Sequence, residues 1–526
     1  MRNPAKQTAH RYERNPSANV PRSVFNFDHD HKTTLDPGWV VPVGTWEAYP
    51  GDTFNVRLHT FVRMLTPLVP SLSNITLETF FFAIPCRLLY DDWPRLHGEK
   101  KNPGDLGYEN YQVPTITGPG GLGFASGSVY DYMGVPPGVP DLTISALPLR
   151  AYALTMDTWF RDQNLIDSWA PDTGPGPDQP GDYELKRRGK RFDYFTSALT
   201  QAQKGEEVGI PLGGTIPIIR DPALAPPSFT DGANTGNLQG QSGGNVTITG
   251  STVGTLDWSE PALLGDLDSA TTVTINALRQ AFALQQVLEA DSRGGTRYPE
   301  QIYTHFGVVS PDARQQRPEY LGGGRQMINM TPVPMTNVSE AGDAGTKQGD
   351  LAAYATSAGS DHSFVKSFTE HCIVLALVNI RAELGYQQGL HRMWDRRTRF
   401  DYYLPAFAHL GEQEIKNKEI YAQGSADPTA DEATFGFQER WGELRSMPSL
   451  ITGLFRSAHP SGLDIWHTAQ HFSSLPVLNE EFIEEDPPLL RMVAVQDEPL
   501  FKFDGFFEFK AARPLPTYSV PGLRRL

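Results

Sequence analysis

The sequence predicts a mainly β protein, a sandwich or barrel whose strands lie far apart in the chain and are joined by very long loops. Segments 52–58 and 75–79 alternate polar and apolar residues, which is the period of a half-buried strand. The chain also carries 49 Gly and 43 Pro, scattered along most of its 526 residues. Because proline is excluded from helix interiors and central strands, this density indicates much irregular, surface-following chain.

Three further segments complete the predicted strands. Segment 75–79 runs into the apolar stretch 80–84, so this strand is expected to be buried on both faces, with chain packed over the outside of the sheet. In the last third, 372–380 is predicted as a buried strand, and 492–495 with 501–510 as a terminal hairpin.

Two helices are predicted, at about 149–167 and 276–290, from apolar residues spaced by three or four positions. Asn276 is the expected N-cap of the second helix, and the two glycines after Arg293 are its expected stop. No period of about 20–50 residues repeats along the chain, which excludes solenoids and propellers.

The segment 211–260 is rich in Gly, Pro, Thr, Ser and Asn and has few charges. One interpretation is a disordered linker between two domains; the other is a surface excursion with its own hairpin. The β-branched residues of 245–253 favour the excursion. Residues 1–24 are polar, basic and interrupted by proline, so they are predicted to be an arm that orders only against another surface.

Bulk composition excludes several classes of protein. The 45 Lys and Arg against 61 Asp and Glu give a net charge of −16, so the chain as a whole repels nucleic acid at long range. Two cysteines, Cys86 and Cys372, exclude a disulfide framework and a cysteine-based metal site. The N-terminus has no apolar core of a signal peptide, and no apolar run is long enough to span a bilayer.

No catalytic motif fits the context that its mechanism needs. The sequence GQSGG at 240–244 matches the nucleophile pattern by letters, but that mechanism needs a strand before the serine and a helix after it. The glycines of 121–127 have the wrong spacing for a dinucleotide fingerprint, and 342–347 is not a phosphate-binding loop. The chain is therefore predicted not to be an enzyme and to need no cofactor.

Two groups of side chains are weak metal candidates. Asp28, His29, Asp30 and His31 offer four ligands in one segment, although consecutive residues rarely converge on one ion; the alternative is a solvated or interfacial arm. The other group, at 467–471, places two histidines one helical turn apart. The zinc-peptidase pattern needs a glutamate where Thr468 stands, which favours a polar helix face or an interface.

Two basic clusters interleave cations with aromatic residues, a combination that suits contact with phosphates and bases. Both also lie beside carboxylates, so pairing within the protein or across an interface is the alternative. The candidate nucleic-acid contacts are Lys186, Arg187, Arg188, Lys190 and Arg191 in the first cluster, and Arg392, Arg396, Arg397 and Arg399 in the second.

Several strings, in one order along nearly the whole chain, resemble the major capsid proteins of gokushoviruses, a branch of the microvirus family of bacteriophages. They are KTTLDPG at 32–38, PGDTFNV at 50–56, LETFFFAIP at 77–85, RFDYFTS at 191–197, ALRQAF at 277–282, SPDAR at 310–314, EYLGGG at 319–324, LPAFAHLGEQ at 404–413 and VPGL at 520–523. The segment 211–260 has no clear counterpart, and His471 stands where the family has an acidic residue.

This resemblance implies an eight-stranded viral jelly-roll barrel with very long inter-strand loops. It implies a subunit that self-assembles into a simple (T=1) icosahedral shell around circular single-stranded DNA. A variable insertion, here 211–260, would project at the threefold axes and meet a host cell-surface receptor. The implied partners are further copies of the chain, a scaffolding protein during assembly and a small basic DNA-binding virion protein. The implied locations are the virion and, during assembly, the cytoplasm of the bacterial host, with no membrane insertion.

The arm 1–24 and the C-terminal segment 514–526 are expected to reach into neighbouring subunits, because unpaired arms add contact area without changing the barrel. Two other functions share the β content. A glycan-binding jelly roll would also have a projecting loop, and a glycan hydrolase would need two carboxylates converging in a cleft.

Overall fold

The computed structural model describes residues 21–205, 208, 275–334, 336 and 351–518, together with the backbone of seven short strands between 218 and 265. The chain divides into two compact units. One consists of residues 1–202 and 294–526, and the other is Gln203–Arg293.

The strands of the described residues are β1 (Ser23–Asn26), β2 (His29–Leu35), β3 (Val40–Ala48), β4 (Thr53–Met64), β5 (Ile75–Pro85), β6 (Thr115–Thr117), β7 (Thr143–Ser145), β8 (Ile218–Arg220), β9 (Ser228–Thr230), β10 (Thr235–Gly236), β11 (Leu238–Gly240), β12 (Val246–Ile248), β13 (Asp257–Glu260), β14 (Leu263–Gly265), β15 (Glu319–Pro334), β16 (Leu351–Ser367), β17 (Cys372–Ala382), β18 (Glu412–Lys416), β19 (Thr434–Glu439) and β20 (Phe501–Arg513). The helices are α1 (Trp93–Leu96), α2 (Val129–Tyr132), α3 (Leu147–Trp159), α4 (Ile275–Arg293), α5 (Tyr298–Phe306), α6 (Asn417–Ile420), α7 (Pro428–Glu432) and α8 (Glu480–Ile483).

One antiparallel sheet dominates the first unit. Its strand order is β1-β20-β4-β16-β15-β5-β17-β3, and β2 pairs with β20 beside β1, which makes nine strands. The sheet curls into a half-barrel. The connections are very long, since more than one hundred residues separate β17 from β20 in the chain. This architecture confirms the prediction of a mainly β jelly-roll barrel with elaborated loops.

The concave side of the sheet holds the main core. Along β4 the residues alternate between buried and exposed, so Phe54, Val56 and Leu58 point inward. Trp46 of β3 packs edge-on against Phe507 of β20, with ring centroids 5.1 Å apart. Because β3 and β20 stand near opposite ends of the strand order, this contact joins the two ends of the curled sheet.

The convex side is covered where β5 and β17 lie. Every residue of β17 is buried, and Phe82 of β5 packs beneath Trp159 of α3 at 5.6 Å between ring centroids. The Tyr152 hydroxyl of the same helix donates to the backbone oxygen of Val40 at 2.8 Å. The prediction that the strand at 75–84 needs cover on both faces is therefore confirmed.

A run of three glycines, at 322–324 in β15, allows this strand to lie close against its neighbours. A Cβ atom on Gly323 would collide with the backbone oxygen of Thr79, and one on Gly324 would collide with the ring of His362. His362 is buried and its Nδ1 lies 2.7 Å from the Thr79 hydroxyl. Any side chain at these positions would displace buried polar groups, which explains why the strand has three consecutive glycines.

Three sequence predictions need correction. The terminal hairpin is wrong: 501–513 is one continuous strand that pairs with β2 and β4, but 492–495 is not its partner strand, because Leu489–Met492 is a 3-10 turn and Val493 makes only an isolated bridge with Pro67. The first helix ends at Trp159 rather than at 167. The chain turns back after it, because Ser168 and Trp169 donate hydrogen bonds to the carboxylate of Asp157 in the helix. The arm is shorter than 1–24, because β1 starts at Ser23 along the edge of β20.

The second unit contains α4 and short strands. The predicted helix at 276–290 is confirmed, although it starts at Ile275, one residue before the predicted cap, and extends to Arg293. Residues 246–248 of the β-branched segment 245–253 form β12, which pairs antiparallel with β11. The positions of 211–260 outside the short strands β8 to β13, like 1–20 and 519–526 of the two terminal segments, lie outside the described residues.

Candidate nucleic-acid interface

The first basic cluster, 186–191, lies against the outer layer of the barrel and is paired with carboxylates of the same chain. Arg187 reaches Asp486 at 2.7 Å, and Arg191 reaches Glu78 at 2.9 Å. Arg188 also pairs with Glu78, and Lys186 lies 3.5 Å from Glu184. Aromatic rings from other segments lie beneath these cations, as Trp39 does under Arg187 at 4.7 Å, although Phe192 beside the cluster is exposed.

Glu78 of β5 is the centre of this cluster. Burial alone raises the pKa of its carboxyl, but the nearby charges of Arg188 and Arg381 outweigh burial and lower the pKa below its usual value. Arg381 of β17 is itself almost fully buried and pairs with the buried Glu485. The cluster thus binds the loop 186–191 and the loop around Glu485 to the barrel wall.

Lys190 is the buried member of the first cluster. Its Nζ donates to the backbone oxygen of Phe482 and, at 3.0 Å, to Gln470 Oε1. Burial lowers the pKa of this lysine to about 8. With its ammonium enclosed, Lys190 has little access to a phosphate outside the protein. The internal pairing of the whole cluster argues for the structural alternative.

The second cluster lies in a loop with two short turns, Arg392–Trp394 and Arg399–Asp401. Arg392 pairs with Glu419 at 3.2 Å, and Arg396 pairs with Glu443 at 2.9 Å. Arg397 and Arg399 are exposed, and their guanidinium groups form no ion pair with any residue that the structure describes.

The aromatic residues of the second cluster are also exposed, whereas Tyr194 and Phe195 beside the first are buried and only Phe192 there is exposed. Trp394 is 70% exposed and Phe400 is 61% exposed. The Asp401 carboxylate is used locally, because it accepts the backbone N–H groups of Arg397 at 2.9 Å and Thr398 at 2.6 Å. This loop therefore presents free arginines and free ring faces together, which is the combination that contact with single-stranded nucleic acid needs.

The two metal candidates are not assembled into sites. In β2 successive side chains alternate between the two faces, and Asp28 accepts the backbone N–H of Phe509 at 2.7 Å while Asp30 pairs with Lys32. His29 stacks on Phe507 with ring centroids 5.0 Å apart. Across the described ranges, no group of three or more His, Cys, Asp or Glu is placed to hold a metal ion.

The predicted helix through His467 and His471 is wrong. A single 3-10 turn, Asp464–Trp466, precedes His467, and the chain then continues in extended form. His467 is buried and its Nε2 lies 2.7 Å from the backbone oxygen of Phe455, whereas His471 is exposed. The backbone N–H of Gln470, the residue before His471, donates to the backbone oxygen of Gly385 at 2.8 Å, which explains why no helix forms there.

Sequence reasoning missed the carboxylates that neutralise the clusters. Glu78 precedes Arg188 by 110 residues, and Arg381 precedes Glu485 by 104, so no local spacing connects either pair. It also missed the exposed rings of Tyr402 and Tyr403, which continue the surface of the second cluster. No helix in the part of the chain that the structure covers is long and apolar enough to cross a membrane.

The chain is similar in sequence to known capsid proteins. The chain matches the family described as "Capsid protein (F protein)" over residues 14–523. It is 43% identical to capsid protein VP1 of Bdellovibrio phage phiMH2K, over 98% of each chain. It is 39% identical to capsid protein VP1 of Chlamydia phage 1, again over 98% of each chain. It is 35% identical to capsid protein VP1 of Spiroplasma virus 4, over 96% of each chain.

Proposed function

The chain belongs to the phage capsid protein (F protein) family, and we propose that it builds an icosahedral T=1 shell around a circular single-stranded DNA genome. The predicted resemblance to gokushovirus capsid proteins is confirmed by the family match and by the three VP1 relatives. The chain is a structural subunit of a homo-oligomeric virion shell and not an enzyme. The family match over 14–523 is the observation that carries the proposal.

The surface of the first unit supports assembly through side chains outside the barrel. On and just after α5, Phe306 is 77% exposed and Val309 is 79% exposed, and Tyr298 and Tyr303 are exposed beside them. Soluble monomers rarely expose apolar patches of this kind, so such a patch marks a protein contact. Shell contacts of roughly 1,000 Å² or more, repeated around closed symmetry axes, would bury it. The N-terminal segment before β1 and the C-terminal segment 514–526 would add to these contacts.

The charge of the chain supports a second virion component. With a net charge of −16, and with the first basic cluster paired internally, the subunit cannot neutralise a packed polyanion alone. A small basic protein inside the shell would supply that charge, as the family resemblance also implies. Particles that contain DNA but no second basic polypeptide would contradict this part of the proposal.

The segment 211–260 is the proposed host-attachment insertion, projecting at the threefold axes toward a cell-surface receptor. Its composition of small polar residues suits an exposed tip, and its residues belong to the smaller of the two units. A scaffolding protein is proposed to guide assembly in the cytoplasm of the bacterial host.

Electron microscopy of the full-length chain, expressed with and without the virus's scaffolding protein, tests the assembly proposal. Uniform closed shells of one diameter are the expected result. Stable monomers that bind or cleave glycans under the same conditions would contradict it. Nuclease-resistant nucleic acid extracted from the virion identifies the genome as circular single-stranded DNA or refutes that assignment.

A further inference from the structure

A cavity of about 390 Å³ lies beside the loop of the second basic cluster. Five cationic side chains line it: Arg392, Arg396, Arg397, Lys416 and Arg440. Three carboxylates line it as well: Asp395, Asp401 and Glu432. The lining is therefore cationic by two charges, on a chain whose overall net charge is −16.

The lining carboxylates are already engaged. Lys416 pairs with Glu432 at 2.6 Å and lies 3.7 Å from Asp395, and Lys418 pairs with both of those carboxylates from outside the lining. Asp401 accepts backbone N–H groups of the loop itself. The hydrogen bonds that Lys416 and Lys418 donate lower the pKa of Glu432 to about 2, so this carboxylate stays ionised and paired.

Several guanidinium N–H groups of the cavity remain unused. The Nε atoms of Arg396 and Arg440 are buried and have no hydrogen-bond partner among the described residues. Arg397 is exposed at the cavity and forms no ion pair with them. A buried donor without a partner is unfavourable, and an anion with several acceptor oxygens would satisfy such donors. Such an arrangement is typical of a phosphate site.

Aromatic rings border the same cavity. Phe400 lines it and is largely exposed, Trp394 of the same loop is more exposed still, and Arg396 lies over the ring of Tyr402 at 5.8 Å. Base–aromatic stacking stabilises bound single strands and tolerates any sequence, because every base has a π face. A neighbour's carboxylate would satisfy the arginines but would leave these ring faces uncovered. A nucleotide supplies both the anion and the ring.

We infer that this cavity is a phosphodiester pocket, in which Arg397, Arg396 and Arg440 bind a backbone phosphate of single-stranded nucleic acid while Phe400 and Trp394 stack its bases. The inference rests on the proposed function, because it assigns the packaged genome to this surface. It also distinguishes the two basic clusters, since Arg187, Arg188 and Arg191 of the first are each paired with a carboxylate of the same chain, whereas Arg397 of the second is paired with none that the structure describes.

Binding of a labelled oligothymidine of about 20 nucleotides to the full-length chain tests the pocket. Fluorescence anisotropy is measured at several salt concentrations, below the protein concentration at which shells form. Arg397→Gln is expected to weaken binding about tenfold and to reduce the slope of log K against log salt by ~0.7, the value for one phosphate contact on a single strand. Arg57→Gln, an exposed arginine of β4, is the control with the same change of charge.

A second variant separates the phosphate from the base. Trp394→Leu is expected to weaken oligothymidine binding severalfold while competition by inorganic phosphate stays unchanged, whereas Arg397→Gln reduces both. Equal losses in Arg397→Gln and Arg57→Gln would overturn the pocket, because only diffuse charge would then matter. Variants that bind normally but no longer form shells would also overturn it and assign the loop to a subunit contact. In either case wild-type shells in the microscope would leave the proposed capsid function standing.

Discussion

Arg150 of α3 forms a bidentate ion pair with Asp178 inside the layer that covers the barrel, with Nη2 to Oδ1 at 2.5 Å and Nε to Oδ2 at 2.8 Å. The arginine side chain is 0% exposed and the aspartate side chain 4%. Burial by itself raises the pKa of Asp178, but the hydrogen bonds from Arg150 and Tyr183 outweigh it and lower the pKa. The same guanidinium donates to the backbone oxygens of Leu89 and Gly174, so it joins three separate segments.

Arg150→Met is expected to lower the free energy of unfolding by ~3–5 kcal/mol, because it leaves the Asp178 carboxylate buried without its partner. Urea denaturation followed by tryptophan fluorescence measures the loss. In the double variant Arg150→Met/Asp178→Leu part of the stability should return, since no unpaired charge remains. A single variant as stable as wild type would mean that the pair is not closed in the protein.

Phe507→Ala and Phe506→Ala should differ strongly in how much stability they remove, although the two residues are neighbours in β20. Phe507 is 0% exposed and contacts Trp46, whereas Phe506 is 45% exposed on the outer face. The first change is expected to cost ~3–5 kcal/mol and the second less than about 1 kcal/mol. Thermal unfolding of both variants checks this, and similar losses would contradict the assigned direction of the strand's side chains.

Lys190 should make stability depend on pH above neutrality. Burial lowers its pKa to about 8 from an ordinary 10.5, so between these values the unfolded chain binds more protons than the folded chain. The contribution of this residue to the free energy of unfolding therefore rises with pH through that window, by on the order of 2–3 kcal/mol, and is constant below it. Urea titrations at about pH 7.5 and about pH 10 should show the rise in wild type. Lys190→Met should lack it, and an equal rise in both would assign it to other groups.

Arg188→Gln separates a structural role of the first basic cluster from a nucleic-acid role. Because Arg188 neutralises the largely buried Glu78, its loss is expected to cost ~1–3 kcal/mol of stability and to leave oligothymidine binding unchanged. Arg325→Gln is the matched control, since Arg325 lies 3.9 Å from the same carboxylate but is 52% exposed and should contribute little. Weaker oligothymidine binding by Arg188→Gln alone would restore the nucleic-acid interpretation of this cluster.

Replacement of 211–260 by a short Gly/Ser linker tests the proposed attachment insertion. Closed shells should still form, because the barrel strands lie in the other unit. Adsorption of particles to host cells should fall to background in a cell-binding assay. Unchanged adsorption, with shells intact, would move the receptor contact to another surface.

The barrel strands were predictable where a run of neighbouring apolar residues indicates burial. Phe80, Phe81 and Phe82 in succession indicate a strand covered on both sides, and α3 and the barrel core do cover it. The candidate nucleic-acid interface was less predictable, because contacts with residues far along the chain determine which arginines are paired. Arg187 and Arg397 are similar in sequence, each beside other arginines and aromatic residues. Only the position of Asp486, far along the chain, makes the first a structural cation.

Local patterns failed where pairing at a distance overrides them. Segment 492–495 is apolar like a strand, but Met492 ends a 3-10 turn and Val493 bridges only to Pro67, far back in the chain. His467 and His471 have helical spacing, but a backbone hydrogen bond to Gly385 sets the chain beside them. Neither partner is visible from the residues nearby.

The edge of β20 brings the two ends of the barrel fold together, with Ser23 opposite Arg513 and the Thr517 hydroxyl 3.2 Å from that of Ser23. Entry into and exit from the barrel therefore share one corner of the subunit. For engineering, a peptide fused before the first strand and one fused after the last would start from the same place on every copy. The same proximity makes the chain a candidate for circular permutation, with residues 1–22 and 514–526 rejoined as the linker and new termini opened in an outer loop.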